Sequence, residues 1–283
     1  MQNSSEIITS RQNQYVSLAA SLLDRKRRRS EGLFRFDGVK LYCEAILRGV
    51  RPEFLLVDAA QADAVDAKAR SLYGFGLDAA SCRILQLSHD LFGKISDENA
   101  PEGMICVAKY IDKFHKIATI NSSTEELNAL ADPAAGKILL CESLRDPGNV
   151  GTVIRTAYAF GIDWLVLSND CADLYNPKTL RGAMGTLFSQ KILLVDDLAA
   201  AVQLLQSKGR KIYAAALDEQ ARQLGSFAFE KGDCAVIGNE GHGLSEQVIR
   251  ACCENVYIPM AGDAESLNAS VAAAVLMWEM CRS

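Results

Sequence analysis

From residue 137 onward, short apolar runs bounded by turns recur with helical stretches between them. That rhythm constrains the fold more than any other feature of the chain. The runs fall at 137–141, 164–167, 191–195, 211–216, 233–238 and 256–259, and helical spacing fills 149–160, 196–208, 245–253 and 267–281. A strand that is apolar along its whole length has no solvent face. It belongs in a parallel sheet covered on both sides by the helices that cross over between strands. The expectation is a doubly wound α/β domain, which binds its ligands beyond the carboxyl ends of its strands.

Upstream the pattern is less regular. Residues 18–23 read as a helix that runs into the basic cluster Arg25, Lys26, Arg27, Arg28 and Arg29. Residues 38–47 and 59–72 read as helices, and 53–57, 82–85 and 103–108 as strands. Alternating elements of this kind indicate a small α/β domain over residues 1–108. Residues 109–136 are polar, with Asn121, Ser122, Ser123, Asp132 and Pro133 as breakers, and are expected to form a linker. The second domain then spans 137–283.

Composition supports a folded protein, with 49% hydrophobic and 23% charged residues among 283. The longest apolar run, 271–278, is far short of the ~18 residues of a membrane span. The start (Met1, Gln2, Asn3, Ser4, Ser5) lacks the charged and apolar blocks of a signal peptide, so a cytoplasmic protein with no membrane partner is expected. Nine cysteines show no C-x-x-C spacing, and most lie in apolar runs, where a thiol acts as a small hydrophobe. With only three scattered histidines, no metal site is expected. Net charge is −5, which argues against a surface coated with nucleic acid. Yet residues 1–51 hold ten Lys and Arg against five Asp and Glu, whereas 116–283 hold fourteen against twenty. The basic run is either a site for an anionic partner or a solvated helix end.

Three polar, glycine-bearing segments follow strands of the second domain. In the first, Pro147 and Gly148 make a turn, Asn149 is a good helix N-cap, and Arg155 follows on the helix. The residues suit a ligand site or an ordinary turn with a surface arginine. The second segment places Gly238, Gly241 and Gly243 around Glu240, so that backbone can approach a ligand or another segment closely. Its G-x-x-G-x-G spacing differs from the dinucleotide fingerprint, and no phosphate-binding P-loop signature occurs. The third runs from Ile258, Pro259 and Met260 to Ser266, Leu267 and Asn268. It leads into an alanine-rich helix that can pack close to another backbone.

In order and spacing, these segments resemble the three signature motifs of the SpoU (TrmH) family of RNA 2′-O-ribose methyltransferases, in the SPOUT superfamily. The matching residues are Asp146, Pro147, Gly148, Asn149, Val150 and Gly151 with Arg155; Gly238, Asn239, Glu240, Gly241, His242, Gly243 and Leu244; and Ile258, Pro259 and Met260 with Ser266, Leu267, Asn268, Ala269 and Ser270. The resemblance covers residues 137–283. Residues 1–108 look like the substrate-binding domain found ahead of such catalytic domains. They match it at Ile8, Thr9, Ser10, Arg11, Gln12 and Asn13, at Lys26 and Arg28, and at 33–38, where Asp37 replaces the more usual glutamate.

The resemblance implies a deep trefoil knot in the second domain, a kind of fold nearly absent elsewhere. It implies S-adenosyl-L-methionine bound at Gly238, Ile258 and Leu267. It makes Arg155 the residue that activates the ribose hydroxyl, either as a base or by orienting it and stabilising charge. Asn149 would hold Arg155 or an RNA phosphate, Glu240 would fix its loop, and Ser266 and Asn268 would orient substrate and arginine. A homodimer would complete the site across its interface. RNA, ribosomal more readily than transfer, would meet Arg25, Lys26, Arg27 and Arg28. Two rivals are an RNA-binding module with a degenerate methyltransferase domain and a metabolic α/β enzyme. Titration with S-adenosylmethionine separates them.

Overall fold

The protein is described by a computed structural model over residues 6–111, 117–118, 125–218, 220–261 and 266–282. It divides into two compact units, Met1–Ile111 with Tyr175–Phe188, and Asp112–Leu174 with Ser189–Ser283. None of the helices among the described residues is long and apolar enough to cross a membrane.

In the first unit the chain forms α1 (Gln14–Ser21), α2 (Arg25–Glu31), β1 (Leu33–Asp37), α3 (Val39–Leu47), β2 (Pro52–Asp58), α4 (Ala62–Tyr73), β3 (Arg83–Leu87), α5 (His89–Ile95) and β4 (Met104–Lys109). The sheet order is β1-β4-β2-β3, antiparallel except for β2 beside β3. One face packs on α1 and α5 through Val16, Ala19, Leu22, Phe54, Leu56, Phe92 and Ile105. The helix expected at 18–23 is instead two helices. Asn13 caps α1 and Asp24 starts α2, accepting from the Arg27 N–H at 3.0 Å. A buried ion pair stitches this unit. Arg35 donates to both oxygens of Asp37 at 2.6 and 2.8 Å, and Asp37 also accepts from Ser96 Oγ at 3.0 Å.

The second unit runs β5 (Ile117–Ala118), α6 (Glu125–Ala131), β6 (Ile138–Cys141), α7 (Pro147–Phe160) and β7 (Trp164–Ser168). The chain then makes α8 (Pro177–Ala183), which belongs to the first unit, and returns through β8 (Lys191–Val195), α9 (Leu198–Ser207), β9 (Ile212–Ala215), β10 (Arg222–Gln223), β11 (Cys234–Ile237), α10 (Glu246–Ala251), β12 (Glu254–Tyr257) and α11 (Ala269–Arg282). All eight strands are parallel, in the order β10-β12-β9-β11-β6-β7-β8-β5. The six apolar runs are six of these strands, and the α/β class expected from them holds. β6 and β11 are buried along their length, as strands covered on both faces must be.

Two boundaries differ from expectation. The polar stretch 109–136 contributes β5 and α6, although 112–116 and 119–124 of that expected linker lie outside the described residues. Tyr175–Phe188, expected within the second domain, packs on β1 instead. Tyr175 is 4% exposed, stacks on Tyr110 at a 4.0 Å centroid distance and meets Phe34 at 4.7 Å. Its hydroxyl accepts from the Ile111 N–H at 2.7 Å. Aromatic burial decides where this segment sits, and no periodicity in the sequence signals it.

Candidate functional site

The parallel sheet has its reversal of strand order between β6 and β11. From β6 the chain leads to β7 and β8, and from β11 it leads to β12 on the other side. Crevices at such switch points, beyond the carboxyl ends of the strands, are where open α/β sheets bind ligands. Two of the three glycine-bearing segments leave β6 and β11 at this point, and the third leaves β12.

Asp146 caps α7, accepting from the Asn149 N–H at 2.9 Å, and Pro147 occupies the first turn, where a missing N–H costs nothing. This corrects the expectation that Asn149 is the cap. The Asn149 side chain is therefore free to face outward. Its Nδ2 donates to Glu240 Oε1 at 2.5 Å, and its Oδ1 accepts from Asn268 Nδ2 at 3.1 Å. Asn268 in turn caps α11, its Oδ1 accepting from Ser270 N–H at 2.9 Å and Ser270 Oγ at 2.6 Å. One residue from each segment thus meets at a single junction. Of the two roles expected for Asn149, holding Arg155 or an RNA phosphate, no hydrogen bond of the first kind occurs among the described residues.

The loop after β11 is a closed turn. Asn239 and Gly243 exchange backbone hydrogen bonds at 3.0 and 2.9 Å, and Gly243 takes φ +67°, which suits glycine. A Cβ on Gly238 would run into the backbone of Gly243 and Leu244. Asn239 Nδ2 donates to the Ser143 carbonyl at 2.8 Å, which joins this turn to the loop after β6.

Arg155 is exposed, and neither its side chain nor that of Ser266 has a hydrogen-bond partner among the described residues. Six residues along a helix place Arg155 about 9 Å from Asn149 and about 120° around the axis. The arginine therefore faces away from the junction. Gly238 is buried at the end of β11, Ile258 is half-buried after β12, and Leu267 is 38% exposed just before α11. β9 lies between β11 and β12, so Gly238 and Ile258 flank its carboxyl end. Residues 262–265 of the third segment lie outside the described residues.

Of the basic run, Arg25, Lys26, Arg27 and Arg29 are exposed on α2, and Arg27 pairs with Glu31 at 2.9 Å. Arg28 is 1% exposed and donates to the Leu22 and Leu23 carbonyls, both at 2.8 Å. It is a buried tie between α1 and α2 and has no surface to offer RNA, contrary to expectation.

Sequence reasoning passed over one polar cluster beside the junction. Asp170 accepts from Ser143 Oγ at 2.6 Å, Ser168 Oγ at 2.6 Å and Arg145 at 2.9 Å. Burial alone would raise its pKa, but the hydrogen bonds from Ser143, Ser168 and Arg145 and the arginine's charge hold the carboxyl below its usual value. The only sequence signal was the cluster Ser168, Asn169 and Asp170 at a strand end.

The SpoU rRNA Methylase family model matches residues 136–278, and the MRM3-like substrate binding domain model matches 13–106. The chain is 32% identical to the 23S rRNA (guanosine(2553)-2'-O)-methyltransferase of Bacillus subtilis, over 96% of this chain and 98% of that protein. It is 28% identical to the 23S rRNA (uridine(2479)-2'-O)-methyltransferase of Streptomyces viridochromogenes, over 97% and 91% of the two chains. A crystal structure described as an RNA 2'-O ribose methyltransferase superposes with TM-score 0.78 at 25% identity, covering 98% of each chain.

Proposed function

Because the chain belongs to the SpoU rRNA methylase family, we infer that it methylates a ribose 2′-hydroxyl of RNA. The enzyme is an RNA methyltransferase that uses S-adenosyl-L-methionine, and its first unit is a substrate-binding domain. Ribosomal RNA is the substrate class favoured by the names of the full-length relatives. A cytoplasmic location agrees with the bacterial relatives among these. The observation that carries the reading is the Asn149–Glu240–Asn268 junction, which draws one residue from each motif to the switch point. A degenerate binding domain would have no need to keep these three side chains bonded to one another.

The residues at the strand ends fit the cofactor. Ile258 and Leu267 offer apolar faces to an adenine ring, and Gly238 allows only backbone at the closest approach. When bound, the cofactor supplies a methyl group on a sulfonium, which is already a strong electrophile. The chain must then supply a better nucleophile than a neutral hydroxyl. Asn149, Glu240 and Asn268 lock the loops that frame the site. A guanidinium holds its proton tightly, so Arg155 orients the ribose hydroxyl and stabilises the charge that grows on its oxygen. Ser266, exposed beside Asn268, completes the polar rim.

Arg155 faces away from its own junction, and that supports a homodimer in which it serves the partner's site. Apolar surface on α11 agrees. Val271 and Trp278 are 49% and 55% exposed on α11, which packs along α7. The packing of α11 on both α7 and β11 fits a knotted crossing there.

Complementation tests both the activity and the dimer. Arg155→Ala should bind S-adenosylmethionine normally but lose at least ~10²-fold in methyl transfer. Gly238→Val should lose cofactor binding. Mixed and refolded together, the two inactive variants should recover about a quarter of wild-type activity, because half the molecules are heterodimers with one intact site. Recovery absent from the mixture would place Arg155 in its own subunit's site.

A further inference from the structure

A cleft of about 450 Å³ opens between the loops after β6 and β11 and is not used by the mechanism above. It is lined by Glu142, Ser143, Arg145, Asn239, His242 and Ser245, among others. Its floor is built with care. Ser143 adopts φ +54°, a conformation that serine rarely takes, and its hydroxyl thereby reaches Asp170. Asp170 grips one nitrogen of Arg145 at 2.9 Å, while the arginine side chain stays 68% exposed. The guanidinium is held at one edge and open at the other.

The charges speak against a phosphate here. Arg145 is the only arginine or lysine among the lining residues, and Asp170 already offsets it. Both oxygens of Glu142 accept from Ser245, from its N–H and its Oγ, each at 2.7 Å, and they leave the cleft with negative rather than positive surplus. A neutral ligand with acceptor atoms fits better. Arg145 lies four residues before Asn149, so a ribose at the junction places its own base next to this cleft.

We propose that the cleft takes the base of the nucleotide being methylated, that Arg145 selects bases presenting carbonyl acceptors, guanine or uracil, and that Asp170 is a positioning residue that holds the arginine. Adenine and cytosine put an amino donor where those bases put an oxygen, and a guanidinium rejects it. Splayed bases of single-stranded RNA are read on such edges. The inference rests on the methyltransferase reading given above.

The test starts from a protein-free 23S ribosomal RNA transcript with labelled S-adenosylmethionine, on which the 2′-O-methylated nucleotide is mapped. Four transcripts then carry each base at that position. Wild type should favour guanine or uracil over adenine and cytosine by about 10- to 100-fold in kcat/KM. Arg145→Ala should bring the four transcripts within about threefold of one another, with cofactor affinity by calorimetry unchanged. Arg145→Lys should not restore the preference, since an ammonium lacks the planar fork. Asp170→Asn should narrow it, again with cofactor affinity unchanged. A wild-type preference for adenine or cytosine, an equal loss on all four transcripts, or full rescue by lysine would overturn the proposal. A wild type that binds cofactor but methylates no position of the transcript would instead overturn the reading beneath it, and the inference with it.

Discussion

A buried carboxylate beside an exposed imidazole sits at the end of the parallel pair β2–β3. Asp58 is fully buried, and His89, at the start of α5, meets it at 2.7 Å with its side chain 70% exposed. The hydrogen bond that His89 donates to Asp58, with the carboxylate's charge, raises the His89 pKa. Burial works to raise Asp58, yet its bonds to His89, the Ala60 N–H and Gln61 bring its pKa below the usual value. The histidine's contribution to stability is therefore complete below its unfolded value of about 6.5 and fades as pH rises through the raised folded value. That of Asp58 holds above about 3.9 and fades as pH falls through its lowered one. Asp58→Asn should return the His89 midpoint toward about 6.5 in an NMR titration, and a midpoint that stays put would show that the carboxylate does not set it. Arg28 makes a second point at this scale. Composition cannot separate it from its neighbours, because burial of one arginine in a run of five depends on where two helices meet. Arg28→Ala should cost about 1–3 kcal/mol by leaving the buried Leu22 carbonyl and the half-buried Leu23 carbonyl without this donor, with RNA binding unchanged where the fold survives. Joint replacement of Arg25, Lys26 and Arg29 by Ala should leave stability alone and flatten the salt dependence of RNA binding by about 0.7–0.9 for each phosphate no longer neutralised. An unaltered slope would make α2 a solvated helix.

Elements were legible where burial is two-sided. β6, β7, β8, β9 and β11 lie where near-continuous apolar runs put them, because a strand covered on both faces has only one composition open to it. By contrast β12, with only Val256 buried, starts two residues before its expected run at 256–259. α8 and β5 were not legible. α8 follows Pro177 in a polar stretch and owes its place to distant aromatics, and β5 is two residues long. The site was half legible: the three segments do meet, but the cap of α7 lies at Asp146 and Arg155 lies on another face from Asn149. A one-dimensional pattern does not say which of two adjacent polar residues turns inward. The turn after β11 gives the sharpest test at this scale. Gly238→Ala must displace the backbone of Gly243 and Leu244, so both stability and cofactor affinity should fall, the former by about 1–3 kcal/mol. Gly93→Ala is the proper control, because nothing lies within 4 Å of its Cβ position and its φ is not positive. Gly209, at φ +93°, would be strained by any side chain. If Gly238→Ala binds S-adenosylmethionine like Gly93→Ala, the cofactor does not lie against that strand end.

On the scale of the whole molecule, the first unit is discontinuous in sequence. Tyr175 is seated among Phe34 and Tyr110 and bonded to Ile111, and Arg181 reaches Asp97 at 2.8 Å. Tyr175→Ala should cost that unit about 3–5 kcal/mol, the loss typical of a large buried aromatic. The chain's two tryptophans, Trp164 and Trp278, both lie in the second unit. Denaturation followed by far-UV circular dichroism should therefore begin early in this variant, while tryptophan fluorescence keeps its wild-type midpoint; identical curves by both probes for the two proteins would refute that role for Tyr175. The same discontinuity sets a timetable for synthesis. A nascent chain usually folds its leading domain while the next is still being made. Here the leading domain stays one piece short until residue 188 has emerged, roughly 4–15 s after residue 111 at about 5–20 residues per second. Over that interval Phe34 and Phe36 await their cover. Both units are therefore still incomplete while residues 112–188 emerge, and a truncation anywhere before residue 188 yields neither.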